Sequence, residues 1–302
     1  MSTRSDGDDW DIVSSVGRTA LGVATVRALE SERPDPLIDD PFARWFVEAA
    51  GDPHFTALLA DPSPLEAMPF FFPGFMGLRT RYFDDYFVAA SAGRIRQAVV
   101  LASGLDDRAY RLPWQPGTVI FEIDRASVLD FKQAVLDEHD VRPRAELRTV
   151  AVDLREDWPA ALADAGFDAH RPTAWSAEGL LAYLPGPAHD ALFARIDAVS
   201  APGSRVALND FGRDDHVRQL TELRERFGGA DPFGGVDVTE LFYDDARASP
   251  ADWLGEHGWW VEPASTAGLA ERYGTPIPPL PPDLGALEEF AREPTYLTAT
   301  KR

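Results

Sequence analysis

The residues of this chain best suited to chemistry are acids, and their spacing sets them apart. Gly104 lies in VVLASGLDDRAYR, directly after an apolar run that reads as a buried strand over 98–102. Asp124 follows a second such run, 118–123, about 20 residues beyond the glycine. A glycine at such a turn lets a ligand approach the backbone, since no Cβ stands in the way. An acid at the tip of the next strand can accept two hydrogen bonds from a ribose diol. The turn carries one glycine where a dinucleotide fingerprint carries three. Taken alone, an ordinary strand–helix–strand corner with a solvated Asp explains these residues equally well. Two further acids obey the same rule: Asp153, with Leu154, just past a run at 146–152, and Glu178 just past a run at 172–177.

Together these positions suit one ligand. Asp124 would hold a ribose, while Asp153 would accept from an adenine amine with Leu154 covering the ring. Nothing cradles phosphates, because neither GxxxxGK[ST] nor a full GxGxxG is present. Arg79 and Arg81, on a segment shortly before the first strand, are candidate clamps for a carboxylate, since guanidinium binds carboxylates bidentately. The plain reading, an arginine paired with Asp84 or Asp85, holds for at least one of the two. An adenosine cofactor without phosphates, carrying a carboxylate for an Arg and a positive centre tolerant of an acidic surround, points to S-adenosylmethionine. Its sulfonium needs compensating carboxylates or carbonyl dipoles once desolvated. Methyl transfer from it is an in-line displacement, in which holding the reacting atoms collinear is the protein's main task. A base is needed only where the acceptor must lose a proton. Tyr183, just past Glu178, is placed to orient or deprotonate an acceptor; a tyrosine packed under the loop is the plainer alternative.

The elements that must position these residues alternate. Helices are expected at 11–30, 41–50, 77–92, 127–138, 158–165, 187–200, 214–227, 249–257 and 283–292, and further strands at 204–210, 259–262 and 295–300. Residues 51–77 read as a loop, rich in Pro and Gly yet carrying Met68, Phe70, Phe71, Phe72, Phe75 and Met76, too apolar to stay in water. It either packs on the domain or lines a pocket for an apolar acceptor. Residues 228–248 read as a glycine-rich acidic insertion, and PIPPLPP at 276–282 as a stiff connector. Seven strands alternating with helices imply an α/β, doubly wound sheet, with residues 1–92 as an N-terminal helical cap on the acceptor side and 93–302 as the cofactor-binding core. In such sheets ligands sit outside the carboxyl ends of the strands, at the topological switch point. That rule gathers Gly104, Asp124, Asp153 and Glu178 into one site.

Composition narrows the function classes. A formal charge of −21 on 302 residues repels nucleic acid and anionic membrane surfaces. The absence of cysteine removes disulfides, thiol catalysis and Cys–Zn sites. The six histidines form no HxxxH or HxH pair, so no metal is expected. No apolar run approaches about 18 residues and MSTRSDGDDW lacks a signal-peptide core, so a cytoplasmic protein is expected.

Five stretches, RTRYFDDYF (79–87), VVLASGLDDRAYRLPW (99–114), FEIDRASVLDFK (121–132), VAVDLREDW (150–158) and AEGLLAYLP (177–185), resemble the actinobacterial branch of the leucine carboxyl methyltransferase-like family. The similarity runs over about residues 10–300. It implies the seven-stranded class I methyltransferase sheet, S-adenosyl-L-methionine as cofactor, and a role for each matching position. Arg81 would meet the cofactor carboxylate, with Arg79 the second choice. Gly104 would lie beneath the methionine part, Asp124 on the ribose, Asp153 and Leu154 on the adenine, and Glu178 near the sulfonium. Ala102 stands where many methyltransferases carry glycine, and Ser103 makes the turn less glycine-rich, which predicts crowding rather than loss of binding. The resemblance does not name the acceptor, and methylation of a protein C-terminal leucine does not carry over. The expected reaction is O-methylation of a carboxylate or hydroxyl on a partly apolar small molecule or peptide. A nicotinamide-dependent dehydrogenase and a non-catalytic cofactor-binding protein are the alternatives that the residues alone leave open.

Overall fold

The computed structural model describes residues 15–66, 74–210, 241–243, 245, 247–275, 277 and 285–302. The expected helix at 214–227, the aromatic residues 70–72 and most of the 228–248 and 276–282 segments lie outside them.

Strands β1 (Gln97–Leu101), β2 (Val119–Asp124), β3 (Glu146–Ala151), β4 (Ala174–Ala177), β5 (Arg205–Asn209), β6 (Trp259–Ala264) and β7 (Tyr296–Lys301) form one sheet in the order β3-β2-β1-β4-β5-β7-β6. The first five run parallel, and β7 enters antiparallel between β5 and β6. Strand order reverses between β1 and β4, the switch point at which a crevice opens. β1 is buried at all five positions, as a central parallel strand covered on both faces must be.

Side-chain alternation feeds two cores. Ala98, Val100, Ile120, Ala174 and Ala207 face helices α1 (Ser15–Ser31), α2 (Ala43–Ala50), α3 (Pro53–Ala60) and α5 (Phe75–Ala92). Val99, Leu101, Phe121, Ile123, Trp175 and Leu208 face α8 (Trp158–Asp164) and α9 (Gly186–Ala198) on the other side. α5 buries Leu78, Phe83, Phe87 and Ala90 against the same cluster that holds β1 and β4, so the N-terminal helices are continuous with the core of the sheet.

Two stretches fold differently from expectation, for one local reason. Residues 51–66 are not a loop: α3 is followed by α4 (Ser63–Glu66). Asp52 caps α3, its carboxylate accepting from the His54 N–H at 2.9 Å, and Pro53 occupies the first turn. The proline reads as a breaker, but here it starts a helix. After α10 (Pro250–Glu256) and β6, an unanticipated helix α11 (Thr266–Tyr273) is bounded by Ser265, which accepts from Gly268 N–H at 3.1 Å, and by Gly274 at φ +67°. The remaining helices are α6 (Arg108–Arg111), α7 (Ala126–Glu138) and α12 (Gly285–Arg292). Among the described residues no helix is long and apolar enough to cross a membrane.

Candidate active site

The turn after β1 is built from two left-handed residues, Ala102 and Gly104, both at φ +51°. Such a backbone exposes successive N–H groups, and β2 supplies their acceptors. Ser103 N–H donates to the Ile123 carbonyl at 3.0 Å, and Gly104 N–H donates to Asp124 Oδ2 at 2.6 Å. Asp124 Oδ1 accepts from the Arg125 N–H at 2.7 Å. Gly104 and Asp124 therefore form one bonded unit at the tips of neighbouring strands. Burial pushes the Asp124 carboxyl above its ordinary range, and the two backbone N–H groups pull it back only in part. Among the described residues, a Cβ on Gly104 would approach only Ala20 of α1, at 3.8 Å.

β3 ends beside this unit. Asp124 pairs with Ala151, and the Asp124 carbonyl accepts from Val152 N–H at 3.0 Å. That places Asp153 two residues past the joint. Its carboxylate is held by Arg125 at 2.9 Å and by Arg155 at 2.7 Å. Burial works against its charge, but hydrogen bonds from Arg155 and Arg125 outweigh it and hold the carboxyl well below the usual range. Leu154 packs partly buried against the α8–α9 core.

Glu178 follows β4 on the other side of the switch point. Oε1 accepts from Arg79 Nε and Oε2 from Arg108 Nη1, each at 2.8 Å. Gly179, at φ +62°, donates its N–H to Asn209 Oδ1 at 2.9 Å. A Cβ on Gly179 would sit 2.5 Å from Arg79 Nη2, so the guanidinium rests on bare backbone. Nη1 and Nη2 of Arg79 have no hydrogen-bond acceptor among the described residues. Arg81 is not brought to this cluster. It lies two residues further along α5, on the opposite side of the helix, 47% exposed and paired with Asp85 at 2.9 Å. Arg79, the second choice by resemblance, is the arginine the fold turns toward the switch point. Tyr183 sits in a 3₁₀ turn (Leu181–Tyr183), its ring edge-on to Phe242 at 5.3 Å between centroids.

Sequence reasoning passed over a buried charge network beneath these residues. Arg108, 2% exposed, donates from Nε to Asp84 at 2.7 Å and from Nη1 to both Asp106 and Glu178. Arg111 donates to Asp84 and, at 2.6 Å, to Asp107. Arg27 of α1 donates to the Leu105 carbonyl at 2.7 Å and faces Asp40 and Asp107. Burial and the adjacent Asp40 push the Asp107 carboxyl up to about 6. The signal was present in DDRAYR. Four charges in six residues directly after the turn that follows β1 are too many for a short buried helix unless each has a partner.

The sheet order, with a glycine turn, an acid and an arginine–glutamate pair at the carboxyl ends of β1, β2 and β4, is that of a class I methyltransferase architecture. The leucine carboxyl methyltransferase family model matches residues 20–197. A Rhodococcus jostii protein named "Putative S-adenosyl-L-methionine-dependent methyltransferase" is 58% identical over 298 residues, covering 99% of this chain and 100% of that protein. A Mycobacterium tuberculosis protein of the same name is 50% identical over 303 residues, covering 99% and 97%. The crystal structure of a DUF574 family protein from Streptomyces avermitilis superposes with a TM-score of 0.50 at 14% identity, covering 92% of this chain and 97% of that one, which speaks to the fold alone. The chain belongs to the leucine carboxyl methyltransferase family and is an S-adenosyl-L-methionine-dependent methyltransferase.

Proposed function

We propose that this enzyme methylates an oxygen, on a carboxylate or hydroxyl of a partly apolar small molecule or peptide, and that the cofactor lies across the β1–β4 switch point. The observation that supports the placement is that two polar groups stand at strand ends on either side of the switch point: the desolvated Asp124 carboxylate, which after its two backbone N–H bonds keeps further lone pairs, at the end of β2, and Arg79, held by Glu178 just past β4, whose Nη atoms have no acceptor among the described residues. A ribose diol fits the first and an α-carboxylate the second. Asp153 and Leu154 fit an adenine beyond Asp124.

Bound S-adenosylmethionine supplies an electrophilic methyl on a positively charged sulfur. This chain's residues then have to hold and shield rather than to react. Gly104 leaves the backbone open to the methionine part, and Arg79, resting on Gly179, takes the carboxylate. Tyr183, in the 3₁₀ turn five residues past Glu178 in the chain, forms an aromatic edge with Phe242 that would suit an apolar acceptor. A carboxylate acceptor supports the reading best, since it is already a nucleophile and needs no base.

The test is to incubate cell extract with the enzyme and isotopically labelled S-adenosylmethionine and follow the label by mass spectrometry. A labelled product that releases methanol in mild alkali is a methyl ester. An alkali-stable label on oxygen indicates a hydroxyl acceptor, and label on nitrogen or carbon refutes O-methylation.

A further inference from the structure

Arg108 touches none of the groups assigned to the cofactor except Glu178, yet its contacts determine where Glu178 can stand. Its guanidinium is pinned on several sides: by Asp84 Oδ1 at 2.7 Å, by Asp106, by the Thr80 carbonyl at 3.4 Å, and over the Phe83 ring at 5.6 Å. With its side chain 2% exposed it is a fixed charge. Glu178, 14% exposed, divides its two oxygens between this buried cation and Arg79. An arginine that gives its Nε to a fixed carboxylate keeps its end-on edge, Nη1 and Nη2, for another. The chain Asp84–Arg108–Glu178–Arg79 thus begins and ends on α5 and crosses the β1–α6 turn and the end of β4 on the way.

We infer that Arg108 is a positioning residue of the cofactor site: by holding Glu178 it orients Arg79 for the carboxylate of the amino-acid part. This deepens the reading above and rests on it. It also changes the duty of Glu178, whose oxygens serve as a bridge between two guanidinium groups rather than as the partner of the sulfonium. Arg79 has several rotatable bonds and would otherwise have to be ordered when the ligand binds.

A purely structural bolt between α5 and the core would affect every ligand alike, whereas a positioning residue acts on one end of the cofactor. Calorimetry with two probes separates the cases: S-adenosylhomocysteine, and methylthioadenosine, which keeps the thioether nucleoside but lacks the amino-acid part. Arg108→Lys is expected to weaken S-adenosylhomocysteine about tenfold and to leave methylthioadenosine within about twofold. In a Glu178→Gln background the same substitution should add little, because its effect passes through Glu178. Should Arg108→Lys not fold, Asp84→Asn loosens Arg108 without touching Glu178 and should show the same selectivity. Unchanged affinity for S-adenosylhomocysteine, or equal loss of both ligands in a folded variant, overturns the inference. A wild-type protein that binds neither probe overturns the cofactor placement itself.

Discussion

Asp124→Asn separates the structural task of Asp124 from the ribose contact proposed for it. In the fold, Oδ2 accepts the Gly104 N–H at 2.6 Å and so secures a turn containing two left-handed residues. In the proposed site, the carboxylate would offer its remaining lone pairs to a ribose diol. Alanine would remove both functions and leave the Gly104 N–H without an acceptor, a cost of about 1–3 kcal/mol. Asparagine keeps one acceptor oxygen for Gly104 and removes the charge. Burial raises the Asp124 carboxyl, so its ionised form weakens the fold. The sign follows: the stabilising contribution is present below the unfolded-state value and is lost as pH rises through the higher folded value. At neutral pH and above, Asp124→Asn should therefore melt close to the wild type, within about 1 kcal/mol, with a lost hydrogen bond set against a relieved desolvation penalty. Binding is a different matter. Hydrogen bonds to a charged group are worth about 1.5–3 kcal/mol each, so losing the acceptor for two hydroxyls should cost at least about 3 kcal/mol. That is a fall in affinity of about a hundredfold or more. Calorimetry should show it for S-adenosylhomocysteine and methylthioadenosine alike, since both carry the ribose. A folded Asp124→Asn protein that binds either within about threefold of wild type would refute the assignment of the ribose to this strand end.

Three further outcomes follow. Gly179→Ala places a methyl 2.5 Å from Arg79 Nη2 at a backbone φ of +62°; it should lower affinity for S-adenosylhomocysteine more than for methylthioadenosine, measured by calorimetry, and equal losses would count against Arg79 as the carboxylate clamp. Ala102→Gly removes the strain of a left-handed alanine, about 1–2 kcal/mol, against about 0.4–1 kcal/mol of added unfolded-state entropy. Denaturant unfolding should show a net gain of about 0.5–1 kcal/mol, and a loss would mean that the Ala102 methyl contributes packing that outweighs the strain. Asp107, raised to about 6 by burial and Asp40, contributes stability that is complete below the unfolded carboxyl range and lost as pH rises through about 6. Between pH 5 and pH 7.5 the melting temperature of Asp107→Asn should therefore decline less than that of wild type, and parallel profiles would rule out the shifted carboxyl.

The strand-end placement of the candidate residues could be read from the chain because that geometry is nearly one-dimensional. A parallel strand ends where its apolar run ends, and the residue there must stand at the rim. For that reason Gly104, Asp124, Asp153 and Glu178 lie at or just past strand ends whose positions came within a residue or two of expectation. The helix expected at 249–257 was legible for the same kind of reason, since its start is set locally: the Asp252 N–H finds the Ser249 hydroxyl at 3.4 Å. The helix at Pro53 was misread because proline stops a helix or starts one according to the residue before it.

The sequence by itself determined the strand ends, the acids they carry and the family, because local periodicity and motif spacing encode them. Only the tertiary structure decided which of Arg79 and Arg81 reaches Glu178. Both lie on one helix, two residues apart, and which of them faces Glu178 depends on how α5 is rotated against β4 and β5. The partners of Arg108 were likewise decided in space, since Asp84 and Glu178 lie 24 and 70 residues away in opposite directions along the chain. Charge pairing across such distances follows from packing, and no spacing rule within the sequence anticipates it.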